Sequence, residues 1–155
     1  MAKAVSQNAL KRKIFSFLER HSMCVLCTMD DNGYPRGSPM EYWAIMPNIY
    51  LVAAEGRKLD NIRRDNRVCI AAYAPYEENF NVMQGVQIFG RARIIKYGEP
   101  AYAKEFEHRG YFGIDLRKNP RYTHLIKVVP DFIEYIDSKL AKDVVKTKRI
   151  WRHRK

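Results

Sequence analysis

Cysteine is scarce in this chain of 155 residues: Cys24, Cys27 and Cys69 are the only three. So few, in an odd number, exclude a fold stapled by disulfides and suit a reducing cytoplasm. No run of about 18 apolar residues is present, which excludes a membrane-spanning helix. The first residues, Met-Ala-Lys-Ala-Val-Ser-Gln, lack the apolar core of a secretory signal. A cytoplasmic location is therefore expected. Internal repeats are absent, and no composition shift marks a second folded domain. Metal-ligand spacing is missing too. His21, His108, His124 and His153 are scattered, and the Cys24-x-x-Cys27 sulfurs would diverge on a strand, where residues three apart face opposite ways. No metal site is expected, and the thiols read as small buried hydrophobes in a barrel wall.

What is present is an ordinary globular composition with a strong basic bias. Hydrophobic residues make up 46% of the chain, and its length is that of one domain able to bury a core unaided. The formal charge is +11. From residue 141 onward seven basic residues face one acid, so that stretch carries +6 of it. The division is a folded domain over residues 1–140 and a basic tail over 141–155. The tail mixes cations with Trp151. It can be a flexible solubilising extension, dock on the barrel or a partner subunit, or hold nucleic acid through phosphates and stacking.

Periodicity gives the elements. Leu10, Ile14, Phe17 and Leu18 recur at helical spacing among cations, so residues 6–20 are predicted as an amphipathic helix capped by Ser6. Residues 23–29, 34–46 and 49–54 are predicted strands of an antiparallel meander, turning at Asp30-Asp31-Asn32-Gly33 and at Pro47-Asn48. A short helix is predicted at 57–66, a strand at 67–73, a loop at 74–82 and a long strand at 84–97, with Gly90 at a bend or bulge. A helix follows at 99–109, stopped by Gly110. Strands are predicted at 123–129 and 131–137, with Pro130 between them marking an edge or bulge. About six strands with short helices at the rim give a mainly β fold, a six-stranded antiparallel split barrel.

Two segments carry candidate chemistry. In Glu55-Gly56-Arg57-Lys58 a strand ends, a glycine follows, and a helix opens with two cations. Free N–H groups, a partial positive charge and a bidentate guanidinium would seat a phosphate there. A solvated helix start with ordinary surface cations is the alternative. In Tyr34-Pro-Arg-Gly-Ser-Pro-Met-Glu-Tyr-Trp43, alternation puts Arg36, Ser38, Met40 and Tyr42 on one face. That mixture suits a phosphorylated ligand with a flat apolar part. A partly exposed edge strand without ligand accounts for it equally well.

The order helix, strand, Asn-Gly-Tyr-Pro-Arg-Gly-Ser-Pro-Met, strand, Gly-Arg-Lys-Leu-Asp-Asn-Ile-Arg-Arg-Asp-Asn-Arg-Val, strand resembles the pyridoxamine-phosphate-oxidase-like FMN-binding split-barrel family. Val86-Gln-Ile-Phe-Gly-Arg-Ala-Arg-Ile-Ile95 is similar to that family's next strand. The resemblance implies FMN between the subunits of a homodimer, with its phosphate on Arg57 and Lys58. It implies further contacts from Arg36, Ser38, Pro39, Met40, Glu41 and Tyr42, from the main chain of Val52 and Ala53, and from Gln84 and Gly85. The family's oxidase has a substrate-binding lysine where Trp43 falls and a C-terminal arginine–histidine segment with no counterpart found here. The expectation is therefore an FMN-dependent oxidoreductase of unknown small-molecule substrate or electron donor, with no side chain singled out as acid or base. The alternatives are a non-catalytic flavin or haem module and a deazaflavin-dependent reductase.

Overall fold

The periodic apolar stripe near the start of the chain forms α1 (Gln7–Arg20). Ser6 caps it, its Oγ accepting from the Ala9 N–H at 3.3 Å. The stripe buries Leu10, Ile14, Phe17 and Leu18 as predicted, and Phe15 with them. Each such side chain removed from water is worth about 1.5–3 kcal/mol. The computed structural model describes residues 6–75, 82–107, 123–140 and 148–153. The expected stop at Gly110 and most of the 74–82 loop lie outside them.

Alternation of burial shapes the barrel wall. The strands are β1 (Met23–Met29), β2 (Pro35–Ile45), β3 (Asn48–Ala53), β4 (Arg67–Tyr73), β5 (Gln84–Lys96) and β6 (His124–Asp137). They run in the order β3-β2-β1-β4-β5-β6, and pairing of β3 with β6 closes a six-stranded antiparallel barrel. Leu26, Ile49, Leu51, Ile70, Ile88, Ile126 and Ile133 fill it. The β1–β2 turn is the one predicted: the Asn32 and Tyr34 N–H groups donate to Asp30 Oδ1, and Gly33 takes φ 81°. Between β3 and β4 lies α2 (Arg57–Arg64), pinned by Asn61 Nδ2 donating to Thr28 Oγ1 at 2.9 Å, with both residues buried. Outside the wall, α3 (Pro100–Glu107) lays Tyr102 and Phe106 over Ile95 and Leu125, with Trp43 and Val52 beside them. No helix among the described residues is long and apolar enough to cross a membrane.

One expectation needs correction, and one open alternative is decided. The strands predicted at 123–129 and 131–137 are one strand, β6, which passes through Pro130 with a register shift. Gly90 stands opposite Pro130, and a Cβ there would lie 2.3 Å from the Val129 oxygen. The missing side chain lets the bulged strand continue. The basic tail, in turn, is partly structured: β7 (Lys148–Arg152) pairs with β6 from Phe132 to Ile136. Trp151 is 5% exposed and meets Phe15 edge-on at 6.4 Å. Gln7 of α1 grips this strand, its amide donating to the Ile150 oxygen and accepting from the Arg152 N–H. One edge of β6 is thus shared, its first half closing the barrel with β3 and its second half taking β7.

Candidate functional site

The end of β3 and the start of α2 form a short cationic rim. Gly56 adopts φ 146°, a backbone conformation that glycine alone adopts without strain. No side chain caps the helix that follows. The Leu59 and Asp60 N–H groups return to the Gly56 oxygen, so the N–H groups of the first turn before them are left for an external acceptor. Arg57 is exposed and Lys58 half-buried, and neither joins an ion pair among the described residues. The neighbouring carboxylate is already neutralised. Both terminal nitrogens of Arg63 donate to Glu55, and His124 Nε2 lies 3.3 Å from it. The hydrogen bond from Arg63 holds the Glu55 carboxyl below its ordinary pKa. The positive charge of Arg57 and Lys58 is left uncompensated.

β2 supplies the adjoining wall. It pairs with β3 from Tyr42 to Ile45 and with β1 from Pro35 to Glu41, where Ser38 stands opposite Leu26 and Arg36 opposite Thr28, the residue that holds Asn61 of α2. Arg36 is exposed, 3.8 Å from Asp30, and Ser38 is half-buried. Met40 and Tyr42, on the same face, point into the barrel, and the Tyr42 hydroxyl donates to the Leu18 oxygen at 3.1 Å. Their side chains belong to the core, so in this stretch only Arg36, Ser38 and the main chain would be open to a ligand. Pro39 and Glu41 face outward. Ala53 is buried and Val52 half-buried beneath α3, so contact from them would also be through main chain. Trp43 stacks on Tyr50 at 5.5 Å with Phe106 edge-on, an apolar surface in place of a lysine.

Gln84 and Gly85 are elsewhere. Gln84 pairs with Asp137, the last residue of β6, whereas Glu55 beside the cationic rim touches His124, the first. The two groups of predicted site residues therefore lie at opposite ends of a 14-residue strand. One chain does not bring them together.

Long-range register also creates pairs that spacing does not reveal. Cys24 enters the core while Cys27 faces out, where it stands opposite Cys69 of β4. Burial raises the Cys24 thiol to about 12 and the Cys69 thiol to about 11, so both stay protonated at neutral pH. Glu105 of α3 takes the Lys127 ammonium at 3.0 Å beside Tyr50. The Glu55–Arg63–His124 group joins three elements and carries no local sequence signal.

A sequence model of the family described as pyridoxamine 5'-phosphate oxidase matches residues 10–137. No curated protein matches the chain. Among solved structures, a Clostridium acetobutylicum protein related to general stress protein 26, of the pyridoxinephosphate oxidase family, aligns at TM-score 0.67 and 15% identity, covering 96% of each chain. An FAD binding protein from Mycobacterium smegmatis aligns at 0.59 and 19%, covering 92% of this chain and 95% of its own. A haem binding protein from the same organism aligns at 0.62 and 15%, covering 89% and 56%. At these identities the likeness is one of fold.

Proposed function

Because the chain belongs to the pyridoxamine 5'-phosphate oxidase family, we propose that it is a flavoprotein that holds FMN and acts as an oxidoreductase on a small molecule. The observation that carries this is the cationic rim at the head of α2. There Gly56 opens the backbone, the first-turn N–H groups have no side-chain cap, and Arg57 and Lys58 have no anionic partner among the described residues. A phosphate monoester fits that donor set, with Arg36 and Ser38 on the adjoining wall. When bound, the flavin supplies the redox chemistry. The chain's own residues anchor the phosphate and fix the ring along the main chain of β2 and β3. With Trp43 in place of the oxidase's lysine, the substrate differs from the vitamin B6 phosphates. The folds shared with FAD- and haem-binding proteins keep haem as the rival ligand, but His124 already engages Glu55 and Thr123 through its two ring nitrogens.

The flavin site takes two copies of the chain. Arg57 and Gln84 can face one flavin only across an interface. A hollow of about 650 Å³ on the outer face of β1, β2 and β4, edged by Met23, Val25, Pro39 and Tyr73, offers the surface for it. Met23 is 58% exposed and Tyr73 70%, apolar side chains that a subunit contact would cover.

Titration of the purified protein with FMN, followed in the visible spectrum, tests the reading. Binding is expected, and Arg57→Ala with Lys58→Ala should weaken it by several kcal/mol, at about 1.5–3 for each charge-assisted contact. Unchanged affinity would remove the phosphate seat, and a protein indifferent to FMN would remove the flavin.

A further inference from the structure

A second cationic feature lies at the other end of the barrel. A groove of about 490 Å³ runs between α1 and the ends of β5 and β6. Arg12, Ser16 and Arg20 line it at one-turn intervals from α1, with Lys13 beside them and Lys139 opposite. Its floor is Tyr135 and Asp137, and Gln84 forms one wall. Asp137 is the single acid, and it is already engaged: the Tyr135 hydroxyl and the Lys139 N–H both donate to it. Arg20 donates to Ser16 at 2.7 Å. Arg12, Lys13 and Lys139 have no ion pair among the described residues, whereas Arg36, Arg67, Arg91, Lys127 and Lys148 each have one and Arg63 has two. With Arg12, Lys13, Arg20 and Lys139 against the one carboxylate of Asp137, the hollow keeps a net positive charge that focuses an anionic ligand, and its size is that of a small organic molecule.

We infer that this groove binds the phosphate-ester end of the second substrate, the donor or acceptor that exchanges electrons with the flavin. The inference rests on the two-copy flavin site proposed above. There Gln84 reaches the flavin of the other subunit, so the groove that Gln84 walls opens beside that ring. Arg20 lines both this groove and the apolar hollow assigned to the subunit contact, which places the cations at the margin of the interface. A phosphorylated nicotinamide nucleotide has the required arrangement, a flat redox ring at one end and a phosphate monoester at the other.

The test is calorimetry on the FMN-loaded protein with adenosine 2',5'-bisphosphate as probe, adenosine as its uncharged counterpart and inorganic phosphate as competitor. The bisphosphate should bind roughly tenfold or more tightly than adenosine, and phosphate should compete with it. Arg12→Glu with Lys13→Glu, and separately Lys139→Glu, should each lose roughly tenfold or more of that binding while FMN affinity stays unchanged. All three positions are exposed, so circular dichroism and thermal melting should match the parent. Equal binding of adenosine and the bisphosphate, or charge-reversed variants that keep full affinity, would overturn the site. A chain that takes no FMN yet binds the bisphosphate in a charge-dependent way would overturn the flavoprotein reading and the link to a flavin substrate, leaving only an anion groove. Binding of the bisphosphate with faster turnover of NADPH than of NADH identifies the phosphorylated nicotinamide; binding without that preference overturns that identification.

Discussion

At the scale of single residues, two glycines separate close approach from ordinary packing. A Cβ on Gly90 would meet backbone, the Val129 oxygen at 2.3 Å, whereas one on Gly37 would meet Val25 Cγ1 at 3.0 Å, a side chain able to turn away. Gly90→Ala should cost on the order of 3 kcal/mol and Gly37→Ala clearly less, read as shifts of the urea midpoint. Glu105 gives a pH-dependent prediction. Burial pushes its carboxyl up, but hydrogen bonds from Tyr50 and Lys127 outweigh that and leave the pKa lowered. A lowered carboxyl pKa stabilises the fold at pH values above the unfolded value of about 4.3, and the gain is lost as pH falls through the folded value. Glu105→Gln should therefore be less stable than the parent at pH 7, and the difference should close in acid. A difference that persists in acid would show that the carboxylate charge is not its source.

At the scale of elements, β7 is the part whose removal is most informative. Trp151 buries its indole against Phe15, so Trp151→Ala should cost about 3–5 kcal/mol, measured by denaturant unfolding; a tail merely resting on the surface would lose almost nothing. This element shows where sequence reasoning reaches and stops. The period-2 and period-3.6 patterns of β1 to β5 and α1 are local and were legible, as were the Asp30–Gly33 turn and the glycine before α2. The strand-forming share of Lys-Arg-Ile-Trp-Arg is masked by its charge, because its partners, β6 and Gln7, are distant in sequence. Pro130 reads locally as an edge or bulge between two strands; it is a bulge, and the matching Gly90, 40 positions away, lets a single strand run through it. In the site, the Arg57–Lys58 pair at the head of α2 and the Arg36–Ser38 stretch of β2 were each readable as cationic segments, but their placement relative to one another depends on strand pairing and not on spacing. Met40 and Tyr42 share their face but enter the core, since alternation says which residues share a side and not which side is inside. The Glu55–Arg63–His124 group and the Cys27–Cys69 pairing depend on register and left no trace in spacing.

At the scale of the whole molecule, separation of Arg57 and Gln84 makes the assembly testable without a structure of it. If each flavin takes Arg57 from one subunit and Gln84 from the other, the Arg57→Ala/Lys58→Ala chain and a Gln84→Ala chain, each weak in FMN binding, should regain up to one intact site per mixed dimer after denaturation and refolding together. Mixtures that bind no better than their components would place both groups on independent sites. The grip of Gln7 on β7 has a different consequence. Closing a sheet into a barrel leaves no unpaired strand, but appending β7 creates one outer row of free N–H and C=O groups, the template on which sheets of separate molecules grow together. The Gln7 amide fills two positions of that row, and Arg152 adds positive charge beside it. Because Gln7 and Ile150 are 143 residues apart, the strand that exposes this edge and the side chain that covers it come together only when the two ends of the fold meet.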